Sequence, residues 1–409
     1  MNKDFLKKYA DLAVKSGVNI QKGQKLVINT PIECAEFSRM IAEVAYEVGA
    51  KDVVMNWSDE KFSKIRFMKA PDEVFESMPD YERDLYIQNV RDGAAFLSIH
   101  AADPELMKDV DPNRLAAAQK TRRLAIKEFN EKLMSNQNAW SVISVPTAGW
   151  AKKVFPGVSE EEAIERLWES IFKIVRVDRE NPVNAWEDHK SNLKEKLEFL
   201  NAANMKTLHY KNNKGTDLNV ELPEGYIFLG GSEHTQDGIE FLANMPTEEV
   251  FSMPLKTGVN GTVVSSKPLN YGGNLIDNFS LTFKNGRIVD FSAESGYDTL
   301  KHLIETDEGS HYLGEVALVP FHSPISDSNI VFYNTLYDEN ASCHFAIGKA
   351  YSVCIEKGTE MNEEELAKAG VNDSLTHVDF MVGTEDLNIT ATTKDGKEIE
   401  IFKNGDWAF

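Results

Sequence analysis

Several features that mark large classes of protein are absent from this 409-residue sequence. Its three cysteines, Cys34, Cys343 and Cys354, are widely spread and form no CxxC pair, so neither a disulfide framework nor a cysteine-rich zinc finger is expected. It contains no apolar run of about 18 residues, so no membrane-spanning helix is expected. The opening stretch MNKDFLKKYADLAVKSGV mixes charged and apolar residues. It therefore predicts an amphipathic helix rather than a signal peptide, and we expect a cytoplasmic protein.

Positive charge is also scarce in the chain. Against 65 aspartates and glutamates there are 44 lysines and arginines, which leaves a formal net charge of −21. This balance argues against nucleic acid or an anionic membrane surface as a partner. It is compatible with a metal ion or a positively charged peptide, although solubility alone also accounts for an acidic surface.

Four common catalytic and nucleotide-binding signatures are missing as well. Without GxGxxG or GxxxxGK[ST] at a strand end, the sequence offers no phosphate cradle for a nucleotide. Without GxSxG or HExxH, it has neither a serine nucleophile elbow nor a helix-borne mononuclear zinc site. Cys343 beside His344 does not favour a cysteine nucleophile, because neighbours in a strand point to opposite faces.

The segments that are present change in character near residues 180–200. In the first part, apolar strands predicted at residues 25–29, 52–57, 94–100 and 139–146 alternate with helices predicted at 33–49, 111–134 and 159–175. This alternation predicts an α/β N-terminal domain with a mostly parallel sheet. We assign residues 1–187 to this domain and interpret it as a scaffold, gating or dimerisation domain.

The second part is rich in strands and hairpins. After a charged helix at about 188–204, a hairpin is predicted to turn between Asn213 and Gly215, and another at Asn285-Gly286, a strong hairpin signal. A third hairpin closes the chain. We therefore predict a strand-rich α+β C-terminal catalytic domain over residues 188–409.

Four stretches of this second part place metal-ligand residue types inside apolar or turn-rich sequence. They are NMPTEEVFSMP (244–254), YLGEVALVP (312–320), ENASCHFAIGKAY (339–351) and LTHVDFMVG (375–383). In the last, His377 and Asp379 share one face of a predicted strand. In the second, Glu315 opens an otherwise apolar strand, where an unpaired carboxylate costs several kcal/mol and so requires a partner.

Together these stretches supply three carboxylates, two imidazoles and a phenol, from Glu248 or Glu249, Glu315, Asp379, His344, His377 and Tyr351. Carboxylates and imidazoles suit zinc, cobalt or manganese. Five or six ligands exceed the needs of one tetrahedral ion, but they suit two ions about 3.5–4 Å apart. The pattern therefore predicts a dinuclear hydrolytic site.

The combination of PTEEVF, LGEVALVP, NASCHFAIGKAY and THVDFMVG resembles the M29 family of metallo-aminopeptidases, of the aminopeptidase T, PepS and AmpS type. The resemblance extends over essentially the whole chain. It implies that the ligand shell of two metal ions consists of Glu249, Glu315, His344, Tyr351, His377 and Asp379. It also implies an α/β N-terminal domain, a C-terminal catalytic domain, a homodimer and a shielded site suited to short peptides.

The resulting hypothesis is a metal-dependent aminopeptidase that releases N-terminal residues from short peptides by hydroxide attack at a dinuclear site. Zinc or cobalt is favoured for the two divalent ions, and manganese or magnesium also fits. Glu315 is the expected bridging carboxylate, Glu248 or Glu315 the general base, and Tyr351 a ligand or an oxyanion donor. The acidic balance favours a basic N-terminal residue such as arginine in the substrate.

Two other classes stay open at this point. A dinuclear phosphoesterase would want basic residues near the site to hold phosphate, and the motifs offer only Lys256 and Lys349. A non-catalytic peptide-binding or metal-storage protein would retain the ligands without turnover.

Overall fold

The computed structural model describes residues 2–271 and 274–409 and divides the chain into two compact units. The first unit comprises Met1–Asp188 and Ser232–Pro246, and the second comprises His189–Gly231 and Thr247–Phe409. No helix in the described ranges is both long enough and apolar enough to cross a membrane.

Helices and strands follow one another along the chain as listed here in order. The α-helices are α1 (Lys3–Leu12), α2 (Ala35–Val48), α3 (Glu60–Lys69), α4 (Asp80–Arg91), α5 (Pro112–Ala125), α6 (Lys127–Met134), α7 (Ala148–Val154), α8 (Glu160–Ile174), α9 (Pro182–Ala202), α10 (Tyr297–Ile304), α11 (Thr335–Asp338) and α12 (Glu363–Lys368). The strands are β1 (Lys25–Pro31), β2 (Asp52–Ser58), β3 (Ala95–His100), β4 (Trp140–Ser144), β5 (Met205–Lys211), β6 (Asp217–Glu221), β7 (Leu229–Gly230), β8 (Glu233–His234), β9 (Glu240–Phe241), β10 (Val250–Ser252), β11 (Val259–Val264), β12 (Leu269–Tyr271), β13 (Asn274–Lys284), β14 (Arg287–Ser295), β15 (Leu313–Leu318), β16 (His344–Gly348), β17 (His377–Met381), β18 (Asn388–Thr393), β19 (Glu398–Lys403) and β20 (Asp406–Trp407).

The first unit contains the predicted parallel sheet, with strand order β2-β1-β3-β4 and every neighbouring pair parallel. Its strands are apolar because they are buried: Leu26, Val27 and Ile28 of β1 have no exposed surface. The Ser159 side chain accepts a hydrogen bond from the Glu162 backbone N–H, which caps α8. The prediction of an α/β N-terminal domain is confirmed.

The prediction of a single long helix over residues 111–134 is wrong in one respect. The segment forms two helices, α5 and α6, which meet at Ile126. Ile126 has φ −107° and ψ 28°, outside the helical range, and its side chain is buried in an apolar cluster with Phe129. An apolar residue at the break keeps the hydrophobic spacing almost continuous, so the pattern does not reveal the interruption.

The segment Ser232–Pro246 belongs to the first unit, although the sequence analysis assigned it to the second domain. The Val142 N–H of β4 donates to Ala243 O at 2.8 Å, and the Met245 N–H donates to Val142 O at 2.9 Å. Leu242 N–H also donates to Gly17 O at 2.8 Å. Because of this backbone pairing with β4 and Gly17, the segment belongs to the first unit, although the sequence on either side of it belongs to the second.

The second unit carries a nine-stranded sheet with order β12-β13-β11-β6-β5-β18-β19-β20 and β14 beside β13. The predicted hairpins are present, since β5 pairs with β6 and β13 pairs with β14, both antiparallel. At the second turn Asn285 has φ 51° and Gly286 φ 81°, as a tight hairpin turn requires. The prediction of a strand-rich C-terminal region is confirmed.

A second antiparallel sheet, with order β17-β16-β15-β10-β7, has two different faces. One face lies in the hydrophobic core and contributes Val250, Val316, Leu318, Phe345, Ile347, Val378 and Phe380. Because side chains alternate along a strand, the other face carries Glu315, His344, His377 and Asp379. Ala346 pairs with both Glu315 and Asp379, so a small side chain lies between the two carboxylates.

Candidate metal centre

Two groups of ligand atoms meet on this polar face of the sheet. The first consists of Glu249, Glu315 and His344, and the second of Glu315, His377 and Asp379; within each group the ligand atoms lie within 4.8 Å of one another. Glu249, Glu315 and His344 are buried. Five of the six ligands expected from the sequence are therefore brought together.

Glu315 belongs to both groups, and its two carboxylate oxygens face different imidazoles. Oε1 lies 3.5 Å from His344 Nε2, and Oε2 lies 3.5 Å from His377 Nε2. Beyond them, His344 Nε2 is 3.2 Å from Glu249 Oε2, and His377 Nε2 is 3.4 Å from Asp379 Oδ1. Glu315 is therefore the one residue that both groups share among the described residues.

Main-chain carbonyls hold both imidazoles in one orientation. His344 Nδ1 lies 3.0 Å from Ser342 O, and His377 Nδ1 lies 2.7 Å from Lys349 O. Since a carbonyl only accepts, each Nδ1 carries the proton and donates it. Each Nε2 is then directed at the carboxylates, which is the tautomer that a metal-binding histidine needs.

Two glycines allow the backbone to approach closely enough for this arrangement. Gly348 has φ +111°, and a Cβ there would lie 2.2 Å from Thr376 O. A Cβ on Gly314, which precedes Glu315, would lie 2.2 Å from Lys349 O, the carbonyl that orients His377. Glycine is needed at both positions for steric reasons, and at Gly348 also for its left-handed conformation.

The carboxylates make the cluster strongly negative, and this negative charge raises the pKa values of its two histidines. Burial alone lowers the pKa of His377, but Asp379 and Glu315 outweigh that effect and raise it to about 9. Burial likewise opposes the charged form of His344, yet its contacts with Glu249 and Glu315 raise its pKa well above the usual value. The surrounding carboxylates therefore attract positive charge to these two rings.

The pKa values of two carboxylates in the cluster shift in opposite directions. Burial raises the pKa of Glu315 above its ordinary value, despite the nearby His344 and His377. Burial also acts to raise the pKa of Asp379, but His377 outweighs it and the pKa is lowered. Asp379 therefore favours its charged form more strongly than Glu315 does.

Two buried carboxylate oxygens of the cluster lack a hydrogen-bond partner among the described residues. Glu249 Oε2 and Asp379 Oδ1 are buried and make no hydrogen bond of good geometry to any residue that the structure describes. Buried polar atoms in this condition are uncommon and call for a missing partner. A divalent cation among carboxylate and imidazole donors would satisfy both oxygens, so the residues present fit the implied metal.

Tyr351, the sixth expected ligand, lies beside the second group. Its ring centroid is 4.6 Å from that of His377. Burial, followed by the charges of Glu315 and Asp379, raises the pKa of the Tyr351 phenol well above its ordinary value. The hydroxyl consequently keeps its proton beside the cluster and can donate a hydrogen bond.

Glu248 is oriented differently from the residue that follows it. Its Oε2 lies 3.5 Å from His189 Nε2, and that nitrogen also lies 2.8 Å from Thr247 O. Glu248 is absent from both groups of ligand atoms found among the described residues. The structure therefore pairs this carboxylate with a histidine that the sequence analysis did not single out.

Glu339 is a further carboxylate that the sequence analysis missed. Burial raises its pKa well above the usual value, and the charges of Glu249 and Asp379 raise it further. Glu339 is thus within the electrostatic reach of the cluster. It begins a short 3-10 turn, Glu339–Ala341, where no strand alternation indicates its direction.

Asp307 anchors the segment that leads into β17. Its Oδ1 accepts hydrogen bonds from the Ser310 backbone N–H at 2.8 Å and from Ser374 Oγ at 2.8 Å. Its Oδ2 accepts from the Leu375 N–H, two residues before His377. Burial acts to raise the pKa of Asp307, but these hydrogen bonds outweigh it and lower the pKa.

We expect Asp307→Ala to reduce the free energy of unfolding by at least about 2 kcal/mol at pH 7, since one hydrogen bond to a charged group contributes about this much and alanine removes several. Because the folded-state pKa is lowered, the contribution is present above the unfolded pKa and is lost as pH falls below about 4. Denaturant titrations of both proteins at pH 7 and pH 3 measure this difference. A gap of equal size at both pH values would contradict the prediction, and Asp237→Ala, at an exposed aspartate, provides the control.

Comparison with known proteins finds relatives that match the chain over nearly its whole length. The family model described as thermophilic metalloprotease (M29) matches residues 2–407. Aminopeptidase 2 of Geobacillus stearothermophilus is 54% identical over 404 residues, covering 99% of this chain and 98% of the relative, and aminopeptidase AmpS of Bacillus subtilis is 53% identical with the same coverage. The structure of wild-type AmpT from Thermus thermophilus superposes with a TM-score of 0.94 at 38% identity and covers 100% of both chains.

Proposed function

The chain belongs to the M29 family of metalloproteases and is a peptide hydrolase of the exopeptidase type, and from that premise we propose its reaction in detail. It releases N-terminal residues from short peptides at a site that would hold two divalent metal ions. Glu249, Glu315 and His344 would hold one ion, and Glu315, His377 and Asp379 would hold the other.

The observation that carries this proposal is the division of Glu315 between the two groups. Each of its oxygens faces a different imidazole at 3.5 Å, as expected for a carboxylate shared between two ions. The donors are carboxylates and imidazoles without a thiolate, a set that suits zinc or cobalt and also admits manganese or magnesium. Glu339 and Tyr351 are available to complete the ligand set.

When bound, the ions would polarise the scissile carbonyl and lower the pKa of a water molecule toward neutrality. The side chains of the chain itself have other tasks. His344 and His377 would present Nε2 to the ions, because their Nδ1 atoms donate to main-chain carbonyls. The protonated Tyr351 hydroxyl donates a hydrogen bond to the oxyanion that develops on the substrate.

Glu248 remains our candidate for the general base. Both oxygens of Glu315, the other candidate, are committed to the two ligand groups. Glu248 instead has the imidazole of His189 beside its carboxylate, 3.5 Å away. It would accept a proton from water and deliver it to the leaving amine.

Replacing Tyr351 with phenylalanine is expected to lower kcat about 100- to 1,000-fold, the usual range for one oxyanion donor. The ring would keep its contacts with His377 and Phe251, so the melting temperature should change little. Steady-state kinetics on leucine p-nitroanilide and a thermal melt measure the two quantities. Unchanged kcat would remove Tyr351 from the mechanism.

Two basic residues named as potential phosphate ligands are engaged elsewhere. Lys349 Nζ forms an ion pair with Asp373 at 3.3 Å, and Lys256 Nζ lies 4.7 Å from the centroid of the Tyr312 ring. A phosphoesterase would need such groups at the metals to hold its anionic substrate. The peptide reaction is therefore favoured over phosphate ester hydrolysis.

We further propose that the first unit is a scaffold, gating or dimerisation domain and that the protein is a cytoplasmic homodimer. The second unit contributes every side chain of the candidate metal centre, which leaves the first unit free for such a role. Light scattering coupled to size-exclusion chromatography tests the oligomeric state.

Elemental analysis combined with a substrate panel tests the main proposal. We expect about two divalent ions per chain and hydrolysis of leucine and arginine p-nitroanilides, with p-nitrophenyl phosphate left intact. Comparing the two nitroanilides also tests the suggested preference for a basic N-terminal residue. Protein that remains inactive after addition of zinc, cobalt or manganese would favour a peptide-binding role instead.

A further inference from the structure

Asn340 occupies a central position between two of the segments that carry the carboxylates of the site. It lies in the turn Glu339–Ala341, directly after Glu339 and four residues before His344, and its side chain is completely buried. A buried amide must find partners for both its oxygen and its nitrogen. The hydrogen-bond partners of the Asn340 amide therefore identify the segments that it connects.

The Asn340 side chain connects two segments that are far apart in sequence. Its Oδ1 accepts a hydrogen bond from the Glu248 backbone N–H at 2.7 Å. Its Nδ2 donates to Leu336 O at 2.9 Å and lies 3.4 Å from Glu339 Oε1. Because the oxygen faces a donor and the nitrogen faces acceptors, the flipped amide would lose both interactions.

The segment held in this way lies outside the regular sheet. Strand β10 begins at Val250, so Glu248 and Glu249 precede the first residue of the strand ladder. The His189 imidazole contacts Thr247 O at 2.8 Å on one side of the segment. Asn340 holds the Glu248 amide on the other, so two side chains fix the backbone from which both carboxylates project.

We propose that Asn340 is a positioning residue, which sets the affinity of the site for metal by locking the Glu248–Glu249 segment against the Glu339 turn. This inference rests on the proposed metallo-aminopeptidase function and adds a residue that touches neither metal nor substrate. It acts through Glu249 as a ligand and through Glu248 as the general base. Partners that orient ligands in this way typically change metal affinity 10- to 100-fold when they are removed.

Two substitutions separate the two connections. Asn340→Ala removes both, whereas Asn340→Asp keeps an oxygen for the Glu248 N–H and places a second oxygen against Leu336 O and Glu339 Oε1. Asn138→Ala is the matched control, because Asn138 is also a buried amide, with Nδ2 donating to Val90 O at 3.1 Å and Ala94 O at 2.9 Å in the first unit. The alanine removes a comparable number of hydrogen bonds in the unit that contributes no ligand residue to the candidate metal centre.

The experiment is a titration of chelator-treated full-length protein with Co²⁺, followed by visible absorption, with thermal melts on the same samples. We expect Asn340→Ala to weaken Co²⁺ binding at least about 10-fold and to alter the absorption spectrum, while Asn138→Ala lowers the melting temperature and leaves Co²⁺ binding unchanged. Asn340→Asp should fold, retain more affinity than the alanine variant and still differ in spectrum from wild type. If the alanine variant fails to fold, the Co²⁺ affinity and spectrum of the aspartate variant test the proposal.

Wild-type Co²⁺ affinity and spectrum in a folded Asn340 variant would overturn the positioning role and leave the proposed function intact. Wild-type protein that takes up no Co²⁺ would overturn both proposals, and this result is visible before any variant is compared. Equal weakening in the Asn138→Ala control would show a general effect of stability and would also overturn the specific role of Asn340.

Discussion

Replacing Glu315 with glutamine is expected to lower kcat/KM for leucine p-nitroanilide at least about 1,000-fold, the largest effect of any single change considered. The reason is that Glu315 belongs to both groups of ligand atoms, so one substitution damages both proposed ion sites. Loss of a few kcal/mol of transition-state stabilisation is enough for this factor. Elemental analysis of the same sample should show that the metal content falls together with activity.

Glutamine keeps the size of the side chain, so the variant separates loss of charge from loss of packing. Glu315 is 5% exposed, and a smaller residue would add a cavity to the effect. Glu398→Gln, at an exposed carboxylate on β19, is the control for a general change of charge. A Glu315→Gln protein that keeps two ions and full activity would contradict the bridging role.

Removal of metal with excess chelator is expected to abolish activity and to lower the melting temperature by about 8 °C or more. An ion present at 1,000 times its Kd stabilises the folded state by about 4 kcal/mol. For a domain of the size of the second unit, each kcal/mol corresponds to about 2–4 °C. Without the ions, the carboxylates of Glu249, Glu315 and Asp379 also repel one another.

The Glu315→Gln protein supplies the comparison for this experiment. If it binds no metal, its melting temperature should be the same with and without chelator. Activity and melting temperature of the wild type should both return when zinc or cobalt is added back. A wild-type melting curve that excess chelator leaves unchanged, with full activity, would exclude a metal-dependent reaction.

The parts of the site that lie in strands could be predicted from the sequence. Alternation places His377 and Asp379 on one face of β17, and the structure has them there with Val378 and Phe380 facing the core. Glu315 stands out because a charge in an apolar strand requires partners. The parallel sheet and both hairpins follow from equally local patterns.

Residues in turns could not be predicted in this way. Glu248 and Glu249 are identical neighbours in the sequence, and only the fold determines that one faces His189 and the other His344. Glu339 lies in a 3-10 turn with no periodicity to indicate its direction. The place of Ser232–Pro246 depends on pairing with β4, a contact distant in sequence that leaves no local signal.

The two-faced sheet described above links catalysis to folding. Strands β15, β16 and β17 place ligands on one side and core residues on the other. A slip of one residue in any of these pairings would exchange the two sets, so that an imidazole entered the core and a phenylalanine entered the site. Cobalt uptake by refolded protein would therefore be a direct assay of correct strand register, sensitive to errors that secondary-structure content alone does not detect.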